Sequence, residues 1–162
     1  MTDVLIALGS NLGDRLANLY AAIDALAPDV TVTARSKIYE TDPRYVTDQP
    51  RFLNMALAAT TALEPAALLR LLKGIEDRLG RKPGLRFGPR LIDLDIVFHG
   101  NGIVETPDLQ IPHPRLAERA FVLRPLADIA PDWAHLATGL TIRAMLEALD
   151  DDGGLREYRP EG

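Results

Sequence analysis

The chain has 162 residues, enough for one domain with a core of its own, and its 47% apolar and 25% charged fractions are those of an ordinary globular protein. It has no Cys, which excludes disulfide scaffolds, thiolate metal sites and thiol catalysis, and no apolar run approaches the ~18 residues of a membrane helix. With 18 basic and 23 acidic side chains the net charge is −5, so the surface as a whole is not built to coat nucleic acid or an anionic membrane.

The N-terminus has an acidic residue before a short apolar stretch, with no basic region and no cleavage-type site, so no export signal is read and a cytoplasmic location is expected. Residues 4–8 are a continuous apolar run and read as a buried strand. Residues 9–14 read as a turn, with Asp14 a helix N-cap. Leu16, Leu19, Tyr20, Ile23 and Leu26 then recur at helical spacing. Residues 30–39 read as a strand and residues 41–50 (TDPRYVTDQP) as a loop, because two prolines cannot continue a ladder. In the strand 52–61, a period of two puts Phe52 and Asn54 on one face and Leu53, Met55 and Leu57 on the other. Pro65 suits a first helical turn, Leu68, Leu72, Ile75 and Leu79 form the buried stripe, and Gly80 is the stop. Residues 81–90 (RKPGLRFGPR) are a loop and 91–98 a strand, followed by a turn at 99–102 and a short strand near Ile103 and Val104. Short helical pieces are expected at 115–118, 125–129 and 141–149, and a polar, frayed tail from 150. The order β-α-β-β-α-β plus an extension predicts a single α+β domain over 1–162. It is read as a ferredoxin-like sandwich, a mainly antiparallel sheet with helices on one face.

Asp93 and Asp95 share a strand face, with Ile92, Leu94, Ile96 and Phe98 on the other. Two carboxylates roughly 6–7 Å apart on a strand repel unless a cation sits between them. The pair alone is equally a solvated polar face. Five basic residues (Arg78, Arg81, Lys82, Arg86 and Arg90) precede it within 13 positions that hold no acid. Guanidinium forks beside a carboxylate pair suit metal-assisted phosphate chemistry. Neither G-x-x-x-x-G-K-S/T nor G-x-G-x-x-G occurs, and the Gly9–Gly13 stretch reads as turn and cap chemistry. Phe52 beside Asn54 could stack on a flat heterocycle and read its edge, with Phe121 as a second plate. His113 lies between two prolines, and Glu76 lies just before the basic loop.

Together these segments resemble the 6-hydroxymethyl-7,8-dihydropterin pyrophosphokinases. The central stretch is Arg86-Phe87-Gly88-Pro89-Arg90-Leu91-Ile92-Asp93-Leu94-Asp95-Ile96-Val97. Tyr39-Glu40-Thr41, residues 48–54, Ile75-Glu76, Gly80-Arg81, Ile111-Pro112-His113 and Arg119-Ala120-Phe121 support it in order. The resemblance implies pyrophosphoryl transfer from ATP to the pterin hydroxymethyl group in folate biosynthesis, by a monomer. It implies two Mg²⁺ ions on Asp93 and Asp95, with Arg81 and Arg90 as catalytic cations. ATP contacts are implied for Glu76, Arg81, Arg90, Ile96, His113 and Arg119, and pterin contacts for Thr41, Arg44, Phe52, Asn54, Phe87, Asp93 and Phe121. Loops 41–50 and 81–90 correspond to the family's mobile loops. Phe87 stands where an indole is often found, Pro114 follows His113 where an aromatic is common, and Lys73 replaces a neutral amide. Two alternatives are another Mg-dependent nucleotidyl or phosphoryl transferase, and a ferredoxin-like module that binds a small ligand.

Overall fold

A computed structural model describes residues 1–41, 51–80, 91–150 and 154–159. The elements are β1 (Thr2–Ser10), α1 (Arg15–Ala25), β2 (Val30–Arg35), β3 (Tyr39–Thr41), β4 (Phe52–Thr61), α2 (Pro65–Arg78), β5 (Asp93–His99), β6 (Val104–Glu105), β7 (Gln110–Ile111), α3 (Ala120–Ile129), α4 (Ile142–Glu147) and β8 (Arg156–Glu157). A 3₁₀ turn, Leu116–Glu118, precedes α3. The main sheet runs β5-β1-β4-β3-β8, with β2 paired to the far half of β4, and every pairing is antiparallel. β6 and β7 form a separate hairpin.

Helices cover both faces of this sheet, where one covered face was expected. Val4, Ile6 and Leu8 of β1 join Leu53, Met55 and Leu57 of β4 in one core with α1 and α2. Leu5 of β1 and Ala56 of β4 point the other way, into a second core with Val122, Leu123 and Leu126 of α3 and Ile142 and Met145 of α4. The unbroken apolar run in β1 has this cause: a strand covered on both sides has no polar face to alternate with.

The helix starts follow from their caps. Asp14 accepts a hydrogen bond from the Ala17 N–H at 3.1 Å and opens α1. Tyr20, expected on the buried stripe of α1, is exposed, and Ala22 takes its place among Leu19 and Ile23. Pro65 opens α2, and Gly80, at φ +97, ends it with its N–H on the Asp77 carbonyl. α3 begins at Ala120 and carries Pro125 within it, where the sequence suggests a start at the proline. Burial of Ala120, Val122, Leu123 and Leu126 outweighs the hydrogen bond that Pro125 cannot donate.

Three local irregularities shape the sheet. β1 extends through Gly9 and Ser10, so those residues are strand rather than turn. The expected strand 30–39 is split into β2 and β3, and Ser36 bridges the gap: its N–H donates to the Ala56 carbonyl, and its Oγ accepts from the Ala56 N–H at 2.8 Å. A bulge between Leu5 and Ile6 of β1 pairs Ile6 with Ile96 but Leu5 with Phe98. Val97 is therefore the extra residue, and Phe98 is turned onto the α3 face, away from Leu94 and Ile96. The polar tail also carries structure: Arg156 and Glu157 pair with Glu40 and Tyr39.

Candidate active site

Cross-strand register assembles the site. Gly9 of β1 lies opposite Asp93 of β5 on one side and Asn54 of β4 on the other, and Asn54 lies opposite Tyr39 of β3. These four positions form one row on the α3 face. The next row is Asp95, Ala7 and Ala56, and the pair Thr41 and Phe52 lies beyond Asn54. The structure thus brings Asp93 and Asp95 onto the same face as Phe52, Asn54 and Thr41, as the period-two reading requires.

Asp93 is half-buried and Asp95 is reached by solvent. Protein atoms nonetheless crowd Asp95 on its other sides. That enclosure first, then the charges of Asp93 and Glu76, push its pKa up to about 6, while Lys73 and Arg119 pull it down. Solvent reaches Asp95, so the charges of the two neighbouring acids act on it more strongly than burial does. Among the described residues no group of three or more His, Asp or Glu side chains is placed to hold a metal ion.

Glu76 occupies an unexpected position. It is buried, at 2% exposure, not on the surface as an ordinary helical Glu would be. Its Oε2 accepts a hydrogen bond from the Leu94 N–H at 2.9 Å, and Lys73 Nζ lies 3.5 Å from Oε1. The carboxylate therefore ties α2 to the outer edge of β5 at the residue between the two aspartates. Lys73 brings a cation to the same corner. Ile96 is in the opposite core with Leu94, so its side chain is separated from Asp93 and Asp95 and its backbone lies at the edge of β5.

Arg119 stands at the N-cap position of α3 and acts on three of the expected residues. Its Cζ lies 5.9 Å from the Phe121 ring centre, and its charge acts on both Asp95 and His113. His113 Nδ1 accepts from the Arg115 N–H at 3.0 Å, which leaves Nε2 to carry the proton of the neutral ring. Burial, then the Arg119 and Arg115 charges, hold its pKa below the usual imidazole value.

On the opposite side of Gly9, Asn54 is almost fully buried and its Nδ2 donates to Thr41 Oγ1 at 2.8 Å. Phe52 and Phe121 are both half-buried on this face. Nothing in the sequence marks the contacts that two further groups make here. Tyr39, next in the row, donates its hydroxyl to Asp128 Oδ2 at 2.8 Å, and burial followed by that contact pushes its pKa up to about 12. Arg15 donates to Glu40 Oε2 and to the Arg51 carbonyl, both at 2.8 Å, one residue before Phe52. Arg44, Arg81, Phe87 and Arg90, with the rest of the basic loop, lie outside the described residues. The positions flanking that loop approach each other: a Cβ on Gly80 would lie 2.8 Å from Leu91 Cδ1.

An antiparallel sheet layered between helices, with an acidic pair on the same face as a buried amide and the half-buried Phe52 and Phe121 rings, defines a small mixed α/β protein. Residues 5–131 match the family 7,8-dihydro-6-hydroxymethylpterin-pyrophosphokinase (HPPK), and the chain belongs to that family. A 2-amino-4-hydroxy-6-hydroxymethyldihydropteridine pyrophosphokinase of Bacillus subtilis is 52% identical over 135 residues, covering 82% of this chain and 81% of the relative. The protein of the same name from Methylorubrum extorquens is 45% identical, covering 94% and 97%. A mitochondrial folate synthesis bifunctional protein of Pisum sativum is 51% identical over 128 residues, which are 78% of this chain and 25% of that protein. The chain thus spans about a quarter of the length of the bifunctional relatives it matches. The crystal structure of wild-type Plasmodium falciparum HPPK-DHPS with pteroate shares the fold, at a TM-score of 0.74 and 17% identity, covering 90% of this chain and 42% of that one.

Proposed function

We propose that this chain transfers the pyrophosphoryl group of ATP to the hydroxymethyl oxygen of 6-hydroxymethyl-7,8-dihydropterin, as a step of folate synthesis. The new bond joins that oxygen to the β-phosphorus, and the hydroxyl proton is released to water. The bond from the β-phosphorus to the α,β-bridging oxygen breaks, and AMP leaves with that oxygen. The observation that carries the reading is the single row in which Asp93 and the Asn54 amide flank Gly9. A substrate that spans it presents its flat ring to the amide and its reacting end to the acidic pair. The names of the relatives support the choice of substrates. In the fold, the strand order last-first-third-second of the βαββαβ core is the one we read as ferredoxin-like.

Asp93 and Asp95 suit Mg²⁺: both are hard oxygen donors, and the raised pKa of Asp95 reflects acidic charge that a cation would offset. Two protein carboxylates leave the remaining positions to substrate phosphates, the usual arrangement for this ion. When bound, two Mg²⁺ ions would neutralise phosphate charge and favour ionisation of the attacking hydroxyl.

The remaining roles belong to the chain. Asn54, its amide oriented by Thr41, reads the pterin edge, and Phe52 and Phe121 hold the two ring faces. Asp93 also contacts the ring in this reading, and the family resemblance adds Arg44 and Phe87 as pterin contacts. Glu76, His113 through its Nε2–H, and the backbone of Ile96 contact the nucleotide. Arg119, with Arg81 and Arg90, binds phosphate oxygens, and the forks stabilise the charge that develops on transfer. Every group invoked comes from one chain, so a monomer suffices. Incubation with ATP, Mg²⁺ and the hydroxymethyl dihydropterin should release one AMP per pterin diphosphate formed. ADP or inorganic pyrophosphate as the nucleotide-derived product would overturn the assignment.

A further inference from the structure

Gly9 has no side chain near the end of β1, at a position paired on both sides by β4 and β5, where glycine weakens a sheet and where its presence marks a close approach by something else. No left-handed backbone requires it, since Gly9 is absent from the positive-φ glycines. What the structure shows is a steric requirement. A Cβ on Gly9 would lie 3.0 Å from Asn54 Oδ1 and 3.6 Å from Phe52 Cδ1. The amide cannot yield easily, because it is buried and its Nδ2 is held by Thr41 Oγ1 at 2.8 Å. Gly9 also lies between Asn54 and Asp93, whose backbones are two strand spacings apart, roughly 10 Å.

We propose that Gly9 is a positioning and specificity-determining residue for the flat heterocycle: by lacking a Cβ it keeps the Asn54 amide in its reading orientation and leaves a low floor between that amide and Asp93. The inference rests on the pterin reading given above and deepens it. Gly9 touches no reacting atom and acts through Asn54. Alanine is backbone-compatible at this φ and should not by itself unfold the strand, so Gly9→Ala tests the methyl group alone.

The test is calorimetric titration of the hydroxymethyl dihydropterin into wild type, Gly9→Ala, Asn54→Ala and the double variant, each with Mg²⁺ and a non-hydrolysable ATP analogue. Gly9→Ala should weaken pterin affinity about 10- to 100-fold, the scale of a buried polar contact left poorly paired. The affinity for the ATP analogue should stay at the wild-type value, and the melting temperature should move by no more than about 4 °C, because strain on the amide and the loss of glycine's chain entropy act in opposite directions. In the Asn54→Ala background the same substitution should cost less than about threefold, because the partner it displaces is gone. Wild-type pterin affinity in Gly9→Ala, an undiminished loss in the double variant, or a parallel loss of ATP-analogue affinity or of folding would each overturn the proposal. Failure of the wild type itself to bind the pterin would overturn the functional reading, and this inference with it.

Discussion

The buried Glu76 carboxylate gives a prediction whose size follows from its contacts. Glu76→Ala removes the acceptor of the Leu94 N–H, a 2.9 Å bond, and leaves that donor unpaired at a buried strand edge. An unsatisfied buried donor costs ~1–3 kcal/mol. The Lys73 pairing adds little, because the ammonium is half exposed and 3.5 Å away. Glu76→Gln keeps a side-chain carbonyl that can accept from the Leu94 N–H and removes only the charge, so its cost should stay under about 1 kcal/mol. For a domain of this size each kcal/mol moves the melting temperature by roughly 2–4 °C. Thermal unfolding should therefore show a drop of about 2–12 °C for the Ala variant and under ~4 °C for the Gln variant. Both variants should lower the Asp95 pKa from about 6, since the Glu76 charge is one of the causes that raise it, after burial and Asp93. Carbon-13 titration of the Asp95 carboxyl reads that shift. Equal melting temperatures for the two variants would refute the role assigned to the Leu94 bond, and an unmoved Asp95 would refute the coupling.

Asp95→Asn should nearly abolish AMP release while leaving pterin binding largely intact; turnover near wild type would remove Asp95 from the metal seat. Phe121→Ala should weaken the pterin by ~1–3 kcal/mol, the scale of base–aromatic stacking, in a direct binding titration; unchanged affinity would remove the ring from the clamp. Arg90→Ala should lower kcat more than it raises KM, because a contact that strengthens in the transition state acts on turnover; an effect on KM alone would assign Arg90 to ground-state binding. Burial would raise the Glu40 pKa, but its hydrogen bonds with Arg15 and Arg156 outweigh that and hold it low. A carboxyl whose folded pKa is depressed stabilises the fold above its unfolded value, about 4.3, and loses that contribution as pH falls through the folded value. Glu40→Gln should therefore lower stability at pH 7 and flatten the acid limb of the unfolding curve; a parallel shift at every pH would contradict this.

The chemistry-bearing faces were legible because strand periodicity alone fixes them. Asp93 with Asp95, and Phe52 with Asn54, needed only the alternation of two residues. The less legible features depend on partners distant in the chain. A continuous apolar run such as residues 4–8 does not reveal that α3 and α4 cover its second face. The bulge that turns Phe98 over is a relation between β1 and β5, and neither strand's pattern encodes it. Glu76 reads as a surface residue until β5 brings the Leu94 N–H to it. Gly9 resembles a turn residue because glycine commonly marks turns, yet here it lies between Asn54 and Asp93 in a paired strand. The tail has the composition of a frayed end, but Arg156 pairs with Glu40 both through the backbone of β8 and through a 2.9 Å ion pair.

Asp93 and Asp95 are the proposed seat of a metal-bound triphosphate facing the Asn54 amide. Calorimetry with a non-hydrolysable ATP analogue, in Mg²⁺ and in EDTA, tests it most directly in wild type and in Asp95→Asn. Wild type should bind tightly only with Mg²⁺, and Asp95→Asn should lose that metal dependence. Equal affinity with and without Mg²⁺, or a metal dependence that survives the substitution, would contradict it.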